Sequence, residues 1–340
     1  MKEINLKKLS YQYYQRGERL VAPFLGFPGV ELIGSSIKLA QQNFGEHYKA
    51  IRELVNRFEP DIVFPLMDLS VEANSLGRYT IFPQQDSATV PKREFEFEQI
   101  ENLGNINISF DSRVLSYVET IKLMSLGLPP RVIRGAYITG PFSTAALIMG
   151  ADDAAMASLT EKDKLHRLCG FVTDKIKEYA GLLLSAGAEV ICILEPTAAL
   201  LGPEQFEKFS VYYVKNIIKS IHYSNAGTIY HVCGSTMHLI EKMARSGASA
   251  VSLDSEDMGV DLKKAAEIIP PEMVVMGNIS PSATMLGDKP EQIKKKVNNL
   301  LERMKKFPNY ILGTGCDLPR ETPLQNIEAF MQAGREWRRG

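Results

Sequence analysis

The feature that most constrains this chain is a recurring unit. A short apolar run, rich in Val, Ile and Leu, ends in a polar side chain or a glycine, and an amphipathic helical stretch follows before the next run. Seven such runs stand out: Asp61-Ile62-Val63-Phe64-Pro65-Leu66-Met67-Asp68, Arg134-Gly135-Ala136-Tyr137-Ile138-Thr139, Gly187 through Pro196, Thr228-Ile229-Tyr230-His231-Val232-Cys233-Gly234, Ala250-Val251-Ser252-Leu253-Asp254, Val274-Val275-Met276-Gly277-Asn278, and Tyr310 through Asp317. Continuous apolar strands alternating with helices predict a parallel sheet covered on both faces. The strands deliver Asp68, Thr139, Glu195, His231 with Cys233, Asp254, Asn278 and Cys316 at their C-terminal ends. An eight-stranded (β/α)8 TIM barrel assembles its site from many strand ends in this way. An open doubly wound sheet would gather its site at one switch point, usually with a Gly-x-Gly-x-x-Gly turn, and the chain has none. One strand of the eight stays unplaced, and residues 76–110, a polar insertion with extended pieces such as Tyr79-Thr80-Ile81-Phe82, are where we expect it.

The intervening helices are read from apolar spacing and stop signals. Tyr48, Ile51, Leu54, Val55 and Phe58 recur at three to four residues between Asn43 and Glu59, and Pro60 ends that helix. Further helices are expected over 111–126, from Ser143, from Thr160 as N-cap to Ala186, and over 203–224, 235–246, 260–268, 289–306 and 322–335. Residues 1–42, punctuated by Pro23, Gly26, Pro28 and Gly29, read as a helix-and-loop extension to a single barrel domain spanning 1–340.

Composition narrows the partners. With a formal net charge of −1 and 45% hydrophobic residues, neither nucleic acid nor a membrane surface is an expected partner. No window approaches the ~18 unbroken apolar residues of a membrane span, and the polar start Met1-Lys2-Glu3-Ile4-Asn5-Leu6-Lys7-Lys8 is unlike a signal peptide. Four cysteines, Cys169, Cys192, Cys233 and Cys316, are too few for a disulfide scaffold and suit a reducing cytoplasm.

Two of those cysteines carry the chemistry. Side chains at i and i+2 on a strand share a face, so His231 and Cys233 converge, and Gly315-Cys316-Asp317 repeats the arrangement at a second strand exit. One imidazole and two thiolates are three of the four ligands of a zinc ion, and three protein ligands with an open position characterise a catalytic site. Two thiolates leave little positive charge on the metal, which suits it less to hydrolysis than to binding a substrate thiol as a nucleophilic thiolate at neutral pH. Alkyl transfer to a thiol is therefore expected. Asp254 or Glu195 could supply the fourth ligand; each suits equally a supporting role, as hydrogen-bond partner of His231 or acceptor at a helix start.

These residues resemble a known family. From Ser36 to Trp337 the chain is similar to the methylcobamide:coenzyme M methyltransferases, a branch of the uroporphyrinogen decarboxylase superfamily. The resemblance runs through Met67-Asp68-Leu69-Ser70 with Glu72-Ala73, Gly140-Pro141-Phe142, Gly187-Ala188-Glu189, His231-Val232-Cys233-Gly234, Gly277-Asn278-Ile279-Ser280-Pro281, and Gly315-Cys316-Asp317-Leu318-Pro319 with Thr322-Pro323. It implies a (β/α) barrel whose zinc, held by His231, Cys233 and Cys316, binds the thiol of coenzyme M. That thiol would take a methyl group from a methylated corrinoid on a separate partner protein, for this chain has no Asp-x-His-x-x-Gly corrinoid motif. Cobalamin-independent methionine synthase is similar in its His-x-Cys strand, the carboxylate on the next strand and a late cysteine, which favours Asp254 over Glu195 and leaves homocysteine as an alternative thiol. Asp68, Asn278 and Arg320 are substrate-side candidates, Arg320 for the sulfonate of coenzyme M. Tetrapyrrole decarboxylation is the alternative activity. Its arginine-rich opening segment corresponds here only to Tyr13-Tyr14-Gln15-Arg16-Gly17-Glu18-Arg19.

Overall fold

The computed structural model describes residues 4–340. All seven expected strands form: β1 (Ile62–Val63), β2 (Ile133–Thr139), β3 (Val190–Leu194), β4 (Gly227–Val232), β5 (Ala250–Leu253), β6 (Val274–Ile279) and β7 (Tyr310–Thr314). They pair in sequence order, every pair parallel. The strand alternation is visible in what each side chain touches. Val190, Cys192 and Leu194 join Ile229, Ala250, Val274, Met276 and Ile311 in an inner cluster, while Ile191 and Ile193 join the helices outside.

The eighth segment is not in residues 76–110. It lies at 20–22, inside the stretch expected to be an extension. Val21 bridges Leu312 of β7 in parallel, with Leu312 N donating to Leu20 O (3.0 Å) and Ala22 N to Leu312 O (2.8 Å). On its other side Asp61 N donates to Val21 O (3.0 Å) and Val21 N to the Asp61 carboxylate (2.7 Å), so the ring passes from β7 to β1 and closes as a (β/α)8 barrel. The Leu6–Gln15 helix ahead of it sends the fully buried Leu6 into the same inner cluster, against Gly227 at the start of β4. Residues 76–110 instead fold as a cover, with one antiparallel bridge between Ile81 and Thr89 and short helical turns.

Most helices fall where the spacing put them. Phe44–Phe58 is capped by Asn43, whose side chain accepts from Glu46 N, and it buries Ile51, Leu54, Val55 and Phe58, each such side chain contributing about 1.5–3 kcal/mol. Ser112–Gly127 is capped by Asp111. Thr160 is not an N-cap. It ends a separate helix, Ala151–Thr160, where its hydroxyl bonds back to Met156 O, and Lys162–Ala186 starts afresh after Glu161. No described helix is long and apolar enough to cross a membrane.

Candidate metal centre

Three donors meet at the C-terminal mouth of the barrel. His231 is the last inward-facing residue of β4, Cys233 follows immediately after the strand, and Cys316 lies two residues past β7. The glycine after each cysteine's strand permits the turn: Gly234 has φ +86°, and a Cβ on Gly315 would stand 2.6 Å from Ser255 N. His231 Nε2 is 2.9 Å from Cys233 Sγ, the two sulfurs are 3.4 Å apart, and all three donor atoms lie within 4.8 Å of one another. A tetrahedral zinc with bonds of about 2.0–2.3 Å sets such donors about 3.5–3.8 Å apart, within a small rotamer adjustment of what is found. Among the described residues this is the one His/Cys/Asp/Glu group so arranged.

The electrostatics suit a cation. The Cys233–Cys316 hydrogen bond holds Cys316 well below the usual thiol range; His231 adds to the effect. The same hydrogen bond, with burial, pushes Cys233 well above it. Ser252 Oγ on β5 is 3.0 Å from His231 Nδ1, which leaves Nε2 facing the sulfurs. Phe24 packs edge-on against the imidazole with centroids 5.4 Å apart. Cys169 and Cys192 are fully buried among apolar neighbours and stand apart from this chemistry.

Neither carboxylate expected as a fourth ligand is free. Asp254 accepts from Gly234 N (2.7 Å) with one oxygen and from Ser255 N (2.7 Å) and Ser255 Oγ with the other. It thus pins the loop that carries Cys233, and its Oδ1 also lies against Gly315 beside Cys316. Glu195 accepts from Phe142 N (3.1 Å) and Ser143 N (2.8 Å), the first turn of the Pro141–Met149 helix, where a carboxylate offsets the positive helix end. Burial pushes Glu195 up to about 7 against those hydrogen bonds.

The three substrate-side candidates separate. Asp68 is enclosed, with Ser70 N and Oγ on one oxygen and Arg113 and Tyr117 on the other. Asn278 donates to Asp254 O (2.9 Å) and Val260 O (3.1 Å) while lining a 710 Å³ cavity with Ser280, Thr284 and Lys296. Arg320 pairs with Glu31 and borders a 350 Å³ cavity shared with Asp317, Gln85 and Ser87. Sequence reasoning missed Ser252 and Phe24. Ser252 faces inward two residues before Asp254, a signal in itself, but its pairing with His231 depends on strand register; nothing in the sequence placed Phe24 beside the imidazole.

Comparison with known proteins places the chain in a family. Methylcobamide:CoM methyltransferase MtbA of Methanosarcina mazei is 29% identical over 246 residues, covering 71% of this chain and 70% of that protein. Uroporphyrinogen decarboxylase of Prochlorococcus marinus (strain MIT 9312) is 28% identical over 271 residues, covering 73% and 76%. A solved structure described as a methyltransferase from Methanosarcina mazei superposes with a TM-score of 0.83 at 22% identity, covering 97% of this chain and 98% of that one, which establishes a shared fold. The family model for Uroporphyrinogen decarboxylase (URO-D) matches residues 40–337, nearly the whole barrel, and the chain therefore belongs to the uroporphyrinogen decarboxylase family.

Proposed function

We propose that this protein is a zinc-dependent methyltransferase that moves a methyl group from a methylated corrinoid, carried by a partner protein, to a small thiol of the coenzyme M type. The observation that carries the reading is the donor set itself: one imidazole and two cysteine sulfurs converging at the barrel mouth. The similarity to MtbA, named for methyl transfer between a methylcobamide and CoM, supports it. His231, Cys233 and Cys316 would hold the ion. When bound, zinc supplies the Lewis acidity that keeps a substrate thiol deprotonated at neutral pH.

In this reading the chain's residues set geometry. Ser252 orients the imidazole, and Asp254 keeps the Cys233 loop in place through the Gly234 amide. The acceptor sulfur attacks the methyl carbon, the carbon–cobalt bond breaks with its electrons remaining on the corrinoid, and the thiol's proton goes to solvent.

The decarboxylase alternative needs cations to receive substrate carboxylates. Arg19, from the opening segment that would supply them, is 3% exposed and spends its guanidinium on Phe307 O (2.6 Å) and Met304 O (2.9 Å) between Tyr14, Tyr310 and Trp337. That engagement favours the transferase.

The test is a thiol screen with free methylcobalamin as donor. We expect coenzyme M to be methylated, about one zinc per chain, and about one proton released on thiol binding at pH 7, read by calorimetry in buffers of different ionisation enthalpy. Cys316→Ala should lose metal, thiol binding and turnover together. A wild type that methylates no thiol, or a Cys316→Ala protein with unchanged metal and activity, would refute the reading.

A further inference from the structure

Tyr137 is the centre of an aromatic wall on the β2 side of the barrel lumen. Its ring stacks on Phe64 (centroids 4.7 Å, planes at 19°) and meets Phe24 edge-on at 5.8 Å; Phe24 in turn meets the His231 ring. The side chain belongs to the inner cluster, in register with Cys192 of β3. Its hydroxyl is buried and has no hydrogen-bond partner. A buried O–H without an acceptor is costly, and native interiors rarely tolerate one unless something else completes it.

The surroundings say where the missing acceptor belongs. Toward β5 the metal centre is closed off: Ser252 takes the imidazole and Asp254 takes the Gly234 amide. On the β2 side stand the aromatic rings and this free donor. Burial raises the phenol well above its usual range, with Asp317, Cys192 and Cys316 adding to the effect, so the group stays an O–H donor. A donor that cannot ionise, set in an apolar wall beside a sulfur-rich centre, is complementary to a polarisable anion.

We propose that the Tyr137 hydroxyl donates a hydrogen bond to the sulfur of the acceptor thiol, making Tyr137 a substrate-contacting residue that selects and orients the thiolate on the β2 side of the centre. The proposal rests on the thiol-methylation reading above and adds a contact to it. A ground-state hydrogen bond to the thiolate strengthens binding, and because it partly quenches the sulfur's nucleophilicity it does not raise the maximal rate.

The experiment is Tyr137→Phe, which keeps the ring and deletes only the orphan hydroxyl. Coenzyme M is the acceptor and free methylcobalamin the donor, with metal content measured in parallel. We expect the coenzyme M KM, and the calorimetric Kd, to rise about tenfold, equivalent to about 1.4 kcal/mol. Saturated kcat should be unchanged or higher, and zinc content unchanged. The thiol-free variant should melt at the wild-type temperature or above, since a buried unpaired hydroxyl has been removed, while the Tm increase on adding coenzyme M should shrink. A Kd within twofold of wild type, a loss confined to kcat, or a fall in zinc content would each overturn the proposal. A wild type that methylates no thiol would instead sink the functional reading itself, so the two failures are distinguishable.

Discussion

The Asp68–Arg113 pair offers the sharpest test of which strand-end polar groups are structural. The Asp68 side chain has no solvent exposure and Arg113 has 9%; the guanidinium also donates to Ser70 Oγ and Asn74 Oδ1 (both 3.1 Å) and lies 4.7 Å over the Phe82 ring. Arg113→Met keeps the stem and removes the charge. Losing one partner of a buried pair costs about 3–5 kcal/mol, chiefly because the remaining charge is stranded. Here Asp68 would keep Ser70 N, Ser70 Oγ and Tyr117 OH, three donors, which places the expected cost near the lower end, about 3 kcal/mol. The double variant Asp68→Asn with Arg113→Met leaves no stranded charge, so it should recover about 2 kcal/mol relative to the sum of the singles. Urea unfolding followed by the single tryptophan, Trp337, which is buried with its indole N–H on Glu302, reports both at low and high salt. Burial predicts little salt dependence. An Arg113→Met cost under about 1 kcal/mol, or strictly additive singles, would refute the account of Asp68 as a brace and return it to the pool of groups free to meet a substrate.

Two further outcomes follow from buried groups. His47 donates nothing to its neighbours through Nε2, which accepts Leu66 N at 2.8 Å; burial lowers its pKa from 6.5 to about 3. Its stabilising contribution is thus complete above pH 6.5 and falls as pH drops toward 3, by about 2 kcal/mol between pH 7 and pH 5, a slope that urea titrations should find reduced in His47→Gln. Glu195 and Glu72, each pushed up to about 7 by burial, act oppositely, favouring the fold at low pH, so the comparison with His47→Gln rather than the raw wild-type curve carries the test. Gly140→Ala would set a Cβ 2.2 Å from Glu195 Cγ, displacing the carboxylate from the Phe142 and Ser143 amides. The expected loss is about 2–4 kcal/mol by thermal or urea unfolding, and a neutral substitution would show that the Glu195 clamp is not fixed.

What the sequence determined by itself is what short-range periodicity encodes. Seven apolar runs became seven parallel strands, and inward parity on β4 put His231 and Cys233 on one face without any knowledge of the fold. Helix bounds came within a few residues at Phe44–Phe58 and Ser112–Gly127, where the structure shows Asn43 and Asp111 as caps. Thr160 misled because its hydroxyl had a closer acceptor in its own preceding turn.

Only the tertiary structure decided the rest, and the common reason is distance along the chain. Residues 20–22 form a barrel segment too short to show any period; they are extended because β7 and β1 offer backbone partners on both sides, some 290 and 40 residues away. Asp68, Glu195 and Asp254 look alike as strand-end carboxylates in the sequence. Their difference lies in which donors the fold brings to them: Arg113 with Tyr117, a helix start, or the amide beside Cys233. A carboxylate's role is set by the field and the hydrogen bonds around it, and those come from residues that periodicity does not connect.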